Sequence, residues 1–435
     1  MRMSSYSRRQ FCKFGLSSIA ASMAAQGLLA GCGSAGSAHQ LQLYFWGPAS
    51  RNTSTKKAIQ SFQATNADIS IRSSFSDWGT YWDKLNTQIA GGTIPDLIQM
   101  DITYIAQYAK QNIIQDLTSF TSNKTIDLSS LDPTLVENSK YNGTLYSIPL
   151  GGTCAGLVYD TDLARQSGVG LPPATMTYSE FASYTRELTN ALKKKGVYGT
   201  IDASGQMMNF EVWVRQRGKN FYTSDGKLSI GVDDIAEWFD YWNGLRASGA
   251  CVPAQTQASV AGASGPDTSL LIQGKAVFDV SWSNQFPGYQ GLTQHTLALY
   301  MPPTGQQPGL YVKPGQLMSI STKSKDSQDA ATFINFLVNN AKGIQAIGLD
   351  RGVPGNTKTM ATLSSSLDSA QKETLSYTTQ VEKSNQVRPL TILPPAGSGA
   401  IGIALLKVAQ SVSFGQLSAS AGAQSFYDQA IKALA

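Results

Sequence analysis

Histidine and cysteine are scarce in these 435 residues: two histidines, His39 and His295, and four cysteines. Two histidines so far apart leave little from which to build a zinc site or a histidine-based catalytic triad. Two of the cysteines, Cys12 and Cys32, belong to the N-terminal segment, so the folded part holds Cys154 and Cys251, which read as two buried small hydrophobes before they read as a disulfide. Charge is sparse too, at 14% of residues. Residues 1–31 carry four of the 34 basic residues and none of the 29 acidic ones, leaving 30 against 29 in the rest. The apparent basicity of the chain is a property of its start, and no argument for nucleic acid or another polyanionic partner survives that subtraction. Beyond the start there is no second long hydrophobic run and no internal repeat.

What is present begins with Arg2, Arg8, Arg9 and Lys13, then an apolar run from Phe14 to Leu29, then Leu29-Ala30-Gly31-Cys32. This is the layout of a secretory leader. The run contains Ser17, Ser18, Ser22 and Gln26 and falls short of the roughly 20 residues that a spanning helix needs. Ser7-Arg8-Arg9-Gln10-Phe11-Cys12-Lys13 resembles a twin-arginine export signal, and Leu-Ala-Gly-Cys resembles a bacterial lipobox. These resemblances imply a signal peptide over 1–31, lipidation of Cys32 as the new N-terminus, and a Gly/Ser/Ala-rich tether over 32–40. An exported protein held at the outer face of a membrane, or in the periplasm, is the expectation.

The remaining four hundred or so residues exceed one compact core and suggest two lobes. Leu41 to Trp46 alternates as a strand and Gly47-Pro48 ends it. A helix capped near Thr53 or Ser54 should bury Ala58, Ile59 and Phe62, and Ile69-Ser70-Ile71-Arg72 reads as the next strand. Strand, helix and strand make a βαβ unit and predict an α/β fold with a parallel sheet. Trp78, Trp82, Leu85 and Ile89 mark a second helix from about Asp77 to Ala90, and Leu97 to Met100 is a strand followed at once by Asp101. Because ligands in open α/β sheets bind beyond the carboxyl ends of strands, Trp46 and Asp101 are expected to share one crevice. Further on, Tyr178 opens a helix, Ile235 to Leu245 forms another, 254–266 reads as a loop, and Asp326 or Ser327 caps a helix burying Phe333, Phe336 and Leu337.

Several stretches resemble one family. Asp77-Trp78-Gly79-Thr80-Tyr81-Trp82-Asp83-Lys84-Leu85, Ala90-Gly91-Gly92-Thr93-Ile94-Pro95-Asp96, Gly143 to Leu150, Val158 to Leu163, Gly274 to Trp282, Met301-Pro302-Pro303 and Phe333 to Leu337 occur in the order seen in the extracellular carbohydrate-binding proteins of ABC importers, of the maltose and multiple-sugar type. The resemblance covers essentially all of the chain after the leader. It implies a two-lobed periplasmic-binding-protein-like fold (type II) with the ligand cleft between the lobes. The expected boundaries are lobe 1 over 41–150, lobe 2 over 151–293, a return to lobe 1 over 294–318, and a return to lobe 2 over 319–435. It also implies a monomer without cofactor or metal that closes on a mono- or oligosaccharide and delivers it to the permease subunits of an ABC transporter.

A sugar offers apolar C–H faces ringed by hydroxyls, so its site needs flat aromatic plates and groups able to accept and donate hydrogen bonds. Trp46 and Trp282 are the expected plates, the latter ending an apolar strand before Ser283-Asn284-Gln285. Trp78 and Trp213 are further aromatic candidates; Asp77, Asp101, Asn52, Asn209, Asn284 and Arg351 are the polar ones. Most have a bland alternative: core for the tryptophans, a helix cap for Asp77, a turn for Asn52 and Asn209, the surface for Arg351. The family often supplies another aromatic from the loop before its late helix, where this chain has Pro394-Pro395-Ala396-Gly397-Ser398-Gly399-Ala400. Its specificity is therefore expected to differ from that of maltose-type relatives. The rival class, a secreted polysaccharide-degrading enzyme, would need two carboxylates about 5–9.5 Å apart, and Asp77 with Asp101 is the pair to consider. A binder of a non-sugar solute, such as a polyamine or peptide, is the third reading.

Overall fold

The computed structural model describes residues 39–261 and 265–435, so the leader and Cys32 lie outside the described residues. Strand β1 (His39–Trp46) is followed by helix α1 (Ala49–Gln63) and strand β2 (Ile69–Ser76), and the two strands pair in parallel from His39–Ile69 to Trp46–Ser76. The expected βαβ unit is therefore present. Its helix starts a turn earlier than Thr53, because Pro48 has the extended backbone that precedes a first turn, and the buried stripe then begins with Arg51 and Thr55 before Ala58, Ile59 and Phe62.

Helix α2 (Trp78–Ala90) is capped by Asp77, whose side chain accepts from the Thr80 amide. Strand β3 (Leu97–Met100) joins the other edge of β1 in parallel, and α3 (Ile102–Lys110) follows with Asp101 as its cap. Both carboxylates satisfy amides that a helix start leaves unpaired. Strand β4 (Ile148–Asp160) is buried along its whole length. After it come α4 (Tyr178–Leu192), with a capping box between Thr177 and Glu180, then β5 (Tyr198–Thr200), α5 (Met207–Arg215) and α6 (Val232–Ser248). Strands β6 (Ala276–Trp282), β7 (Leu297–Tyr300) and β8 (Val312–Ile320) lead to helices α7 (Ser327–Asn339), α8 (Ala341–Ile347), α9 (Ser369–Lys383), α10 (Ser398–Ser413) and α11 (Ala419–Leu434). The stretch expected to be a loop over 254–266 contains a short helix, Ala254–Ala258.

The strands run in the order β2-β1-β3-β8-β4-β6-β5, with β7 also on β4. Strand β4 belongs to both lobes: Ile148 to Cys154 pairs with β8, and Ala155 to Asp160 pairs with β6 and β7. In lobe 1, Phe62, Phe333, Ile334 and Met318 fill one side of the sheet, and Tyr81, Trp82, Ile98 and Leu317 fill the other. Lobe 2 is filled around Phe210, Trp238, Phe278 and Phe426, with a second cluster around Tyr289, Leu299 and Tyr377.

Strand pairing and side-chain packing sort the later elements between the two halves of β4. Residues 297–300 stay with lobe 2, because β7 pairs with the second half of β4. The return to lobe 1 begins with β8 and continues through α7 and α8, whose Phe333, Phe336 and Ile347 pack beside β1 and β2. Leu363 and Leu367 still pack on Ile344 and Leu349, and lobe 2 resumes with α9. Backbones meet closely where these passages converge. Gly152 and Val353 exchange N–H···O bonds of 2.7 and 2.8 Å, and a Cβ on Gly151 would lie 2.6 Å from the Gly352 carbonyl carbon. Cys154 and Cys251 are buried and unpaired.

Candidate functional site

The carboxyl ends of β1 and β3 carry Trp46 and Asp101, as the strand-end rule requires. Trp46, 6% exposed, lies edge-on to Trp78 at 5.0 Å and to Tyr81 at 5.1 Å between ring centroids. Trp82 stacks on Tyr104 at 3.7 Å. The Tyr81 hydroxyl is engaged, donating to the Gln99 carbonyl at 2.7 Å, whereas the buried Trp82 Nε1–H has no partner in the protein. Trp78 and Tyr104 remain partly exposed. The result is a packed lobe-1 aromatic cluster with Trp78 and Tyr104 at its partly exposed edge and one buried, unpaired indole N–H inside it.

Lobe 2 reaches this cluster through Trp282 at the end of β6, a half-buried ring packed against the aromatic cluster of lobe 1 as well as against the second cluster of its own lobe. Between them stands Lys313 of β8. Its ammonium is 3.1 Å from Asp101 Oδ2 and 4.4 Å from the centre of the Trp282 ring, and the residue is 5% exposed. Asp101 uses its other oxygen on the Thr103 amide and hydroxyl. Tyr311, two residues before Lys313 and on the same face, donates to Glu211 Oε2 at 2.7 Å, and Arg215 lies over the Tyr311 ring at 4.9 Å. Burial pushes the Glu211 carboxyl above its ordinary value, against that hydrogen bond and the charges of Arg215 and Lys313.

Beneath the aromatic rings is a second polar cluster. Arg51 binds Asp350 and also donates to the Trp46 carbonyl at 3.0 Å. Asn284 donates to the Asp350 carbonyl at 2.8 Å and accepts from Thr153, so it ties the end of β6 to Asp350 and to β4. Arg351 is neither on the surface nor beside Trp282. It is 2% exposed, donates to Gln99 and Thr55 from below Phe45, and burial brings its guanidinium down to about 10.

The structure thus gathers Trp46, Trp78, Asp101 and Trp282 into one place. Asn52 stands half-exposed in the first turn of α1, beside Arg51. Asp77 is exposed and committed to Thr80. Asn209 and Trp213 are packed into the interior of lobe 2: Trp213 lies between Tyr178 and Trp238, and Asn209 borders a small cavity with Tyr178, Trp238 and Trp242. They sit on the face of α5 opposite Glu211, since helix positions two apart point away from each other. Tyr104, Glu211, Tyr311 and Lys313, which sequence reasoning did not single out, lie beside the gathered residues. Their signals are faint but physical: one acid inside the apolar run Met207-Met208-Asn209-Phe210-Glu211-Val212, and one lysine inside Leu310-Tyr311-Val312-Lys313. Among the described residues, no group of three or more His, Cys, Asp or Glu could hold a metal ion.

A large mixed sheet covered by helices and continued through one long shared strand is the architecture of periplasmic solute-binding proteins. Residues 57–375 match the family described as bacterial extracellular solute-binding protein, and the chain belongs to that family. Relatives from Brucella abortus are 24% identical over 115 residues, 26% of this chain and 28% of their own length. The chain therefore spans little more than a quarter of those curated relatives. Among solved structures, a family 1 extracellular solute-binding protein of Alicyclobacillus acidocaldarius is 28% identical, with a TM-score of 0.65 over 91% of this chain and 98% of its own. An oligogalacturonide-binding protein of Yersinia enterocolitica with bound digalacturonic acid (21%, TM-score 0.78) and an ABC substrate-binding protein of Listeria monocytogenes with bound cycloalternan (20%, TM-score 0.77) cover the same shares and show the same fold.

Proposed function

We propose that this protein captures a mono- or oligosaccharide by closing its two lobes and delivers it to the permease of an ABC transporter. The observation that carries the reading is the meeting of Trp46, Trp78, Trp82 and Tyr104 from lobe 1 with Trp282 from lobe 2 around polar groups. Aromatic faces stack on sugar C–H faces, and the Trp82 N–H, Lys313 and Asp101 supply donors and acceptors for hydroxyls. A ligand drives closure only by binding the closed form better than the open one, and contacts from both lobes provide that difference. The solved relatives with bound digalacturonic acid and cycloalternan are compatible with this substrate class.

The leader resemblance supports export by the twin-arginine route and lipid anchoring through Cys32, which would hold a monomeric binding body beside its permease. Neither carboxylate considered for a glycosidase is free, since Asp77 caps α2 and Asp101 binds Lys313. The test is a thermal-shift screen against a sugar panel, followed by tryptophan fluorescence and an assay for new reducing ends. A tight sugar raises the melting point by mass action and changes fluorescence saturably without turnover. If no sugar shifts the melting point, the carbohydrate reading is wrong.

A further inference from the structure

Charged groups line the place where the aromatic rings meet, and the two that touch Trp282 and its neighbours, Lys313 and Asp101, are paired with each other. Lys313 and Asp101 are 3.1 Å apart with side chains 6% and 10% exposed, and the ammonium is also covered by the Trp282 ring. Glu211 accepts a hydrogen bond from the Tyr311 hydroxyl, and Arg215 lies over that ring. Arg215 spends its own donors on the carbonyls of Gly309, Arg388 and Pro389. The other cations nearby do not face the Trp282 side: Arg51 is held by Asp350, and Arg351 points under Phe45 toward Thr55.

A sugar lying against Trp282 would meet Lys313 and Asp101 together. A uronate carboxylate would gain the ammonium and be repelled by Asp101. A protonated amino sugar would gain Asp101 and be repelled by Lys313. With both side chains about nine-tenths buried, neither repulsion is well screened, and breaking the internal pair leaves one of its members unpaired. Hydroxyl groups escape the penalty, since they can donate to a carboxylate that keeps its lysine and accept from an ammonium with donors to spare.

We infer that the cleft selects uncharged sugars and discriminates against both uronates and amino sugars, with the Asp101–Lys313 pair as the determinant. This rests on the carbohydrate reading and adds to it a charge class unlike that of the Yersinia relative's ligand.

The test is calorimetry of the purified protein with matched pairs: galactobiose against digalacturonate, and cellobiose against its diamino counterpart. The expected result is that whichever sugar skeleton binds, the neutral member binds about tenfold or more tighter than the charged one. Asp101→Asn should then shift the uronate-to-neutral affinity ratio about tenfold toward the uronate, and Lys313→Gln should shift the amine-to-neutral ratio toward the amine. Binding in which the wild type prefers a charged member overturns the inference alone. So do folded variants that leave both ratios unchanged. Absence of binding by every sugar overturns the carbohydrate reading and this inference with it.

Discussion

Arg51 and Asp350, 299 residues apart in the chain, face each other fork to fork, with Nε to Oδ2 at 2.6 Å and Nη2 to Oδ1 at 3.0 Å. The same guanidinium holds the carbonyl of Trp46, and the Asp350 carbonyl is held by Asn284 of lobe 2. One ion pair thus connects an expected sugar-stacking ring with the segment that follows α8 and with the end of β6.

Arg51→Lys keeps the charge and loses the bidentate geometry, so it is expected to cost about 1–3 kcal/mol of stability in urea unfolding. Burial pushes the Asp350 carboxyl up, but Arg51 outweighs it and holds the group below its ordinary value. A depressed carboxylate adds stability above its unfolded pKa and loses it as pH falls through the folded value. Asp350→Asn should therefore flatten the acid limb of the stability curve; an unchanged limb would show that the pair contributes nothing.

Asp279 behaves in the opposite sense. Burial raises its carboxyl to about 6, against hydrogen bonds from Ser269, the Val280 amide and Tyr289. Between about pH 4 and 6 the folded state holds a proton that the unfolded chain has released, so this group's contribution falls as pH rises across that window, by about 2 kcal/mol. Asp279→Asn should remove that decline, as measured by unfolding free energy at each pH.

Gly151→Ala places a methyl group 2.6 Å from the Gly352 carbonyl carbon and oxygen, which are backbone atoms that cannot rotate away. The expected loss is about 2–3 kcal/mol, by overpacking. A variant as stable as wild type in chemical denaturation would mean that these two backbones can part at little cost.

Trp282→Ala should weaken sugar binding by about 1–3 kcal/mol, as a central aromatic contact does, while uncovering the Lys313 ammonium. Calorimetry on the folded variant with affinity unchanged would remove this ring from the site. Gly399→Leu should also weaken binding, because an added side chain at the start of α10 runs into the Tyr104 ring and disturbs its stack on Trp82.

Cys32→Ser is expected to release the protein from the membrane fraction into the soluble one. Retention of the variant in membranes would count against lipidation at this position.

The α/β fold, the βαβ start, the helix capped at Asp77, the buried cysteines and the strand-end positions of Trp46, Asp101 and Trp282 follow from local patterns, and the structure contains each of them. Periodicity, capping chemistry and the strand-end rule act over a few residues, so a sequence carries them in full. The roles of Arg51, Asn284, Lys313 and Glu211 are different. Each is set by a partner more than sixty residues away: Arg51 by Asp350, Asn284 by Thr153 and Asp350, Lys313 by Asp101, Glu211 by Tyr311. The passage of Lys313 into the cleft and of Trp213 into the core depends on which face of a strand or helix its lobe covers. Local pattern named the kinds of residue a binding cleft needs, but the pairing of its charges came from long-range strand order and lobe packing, because Coulomb attraction and burial depend on distance in space and not along the chain.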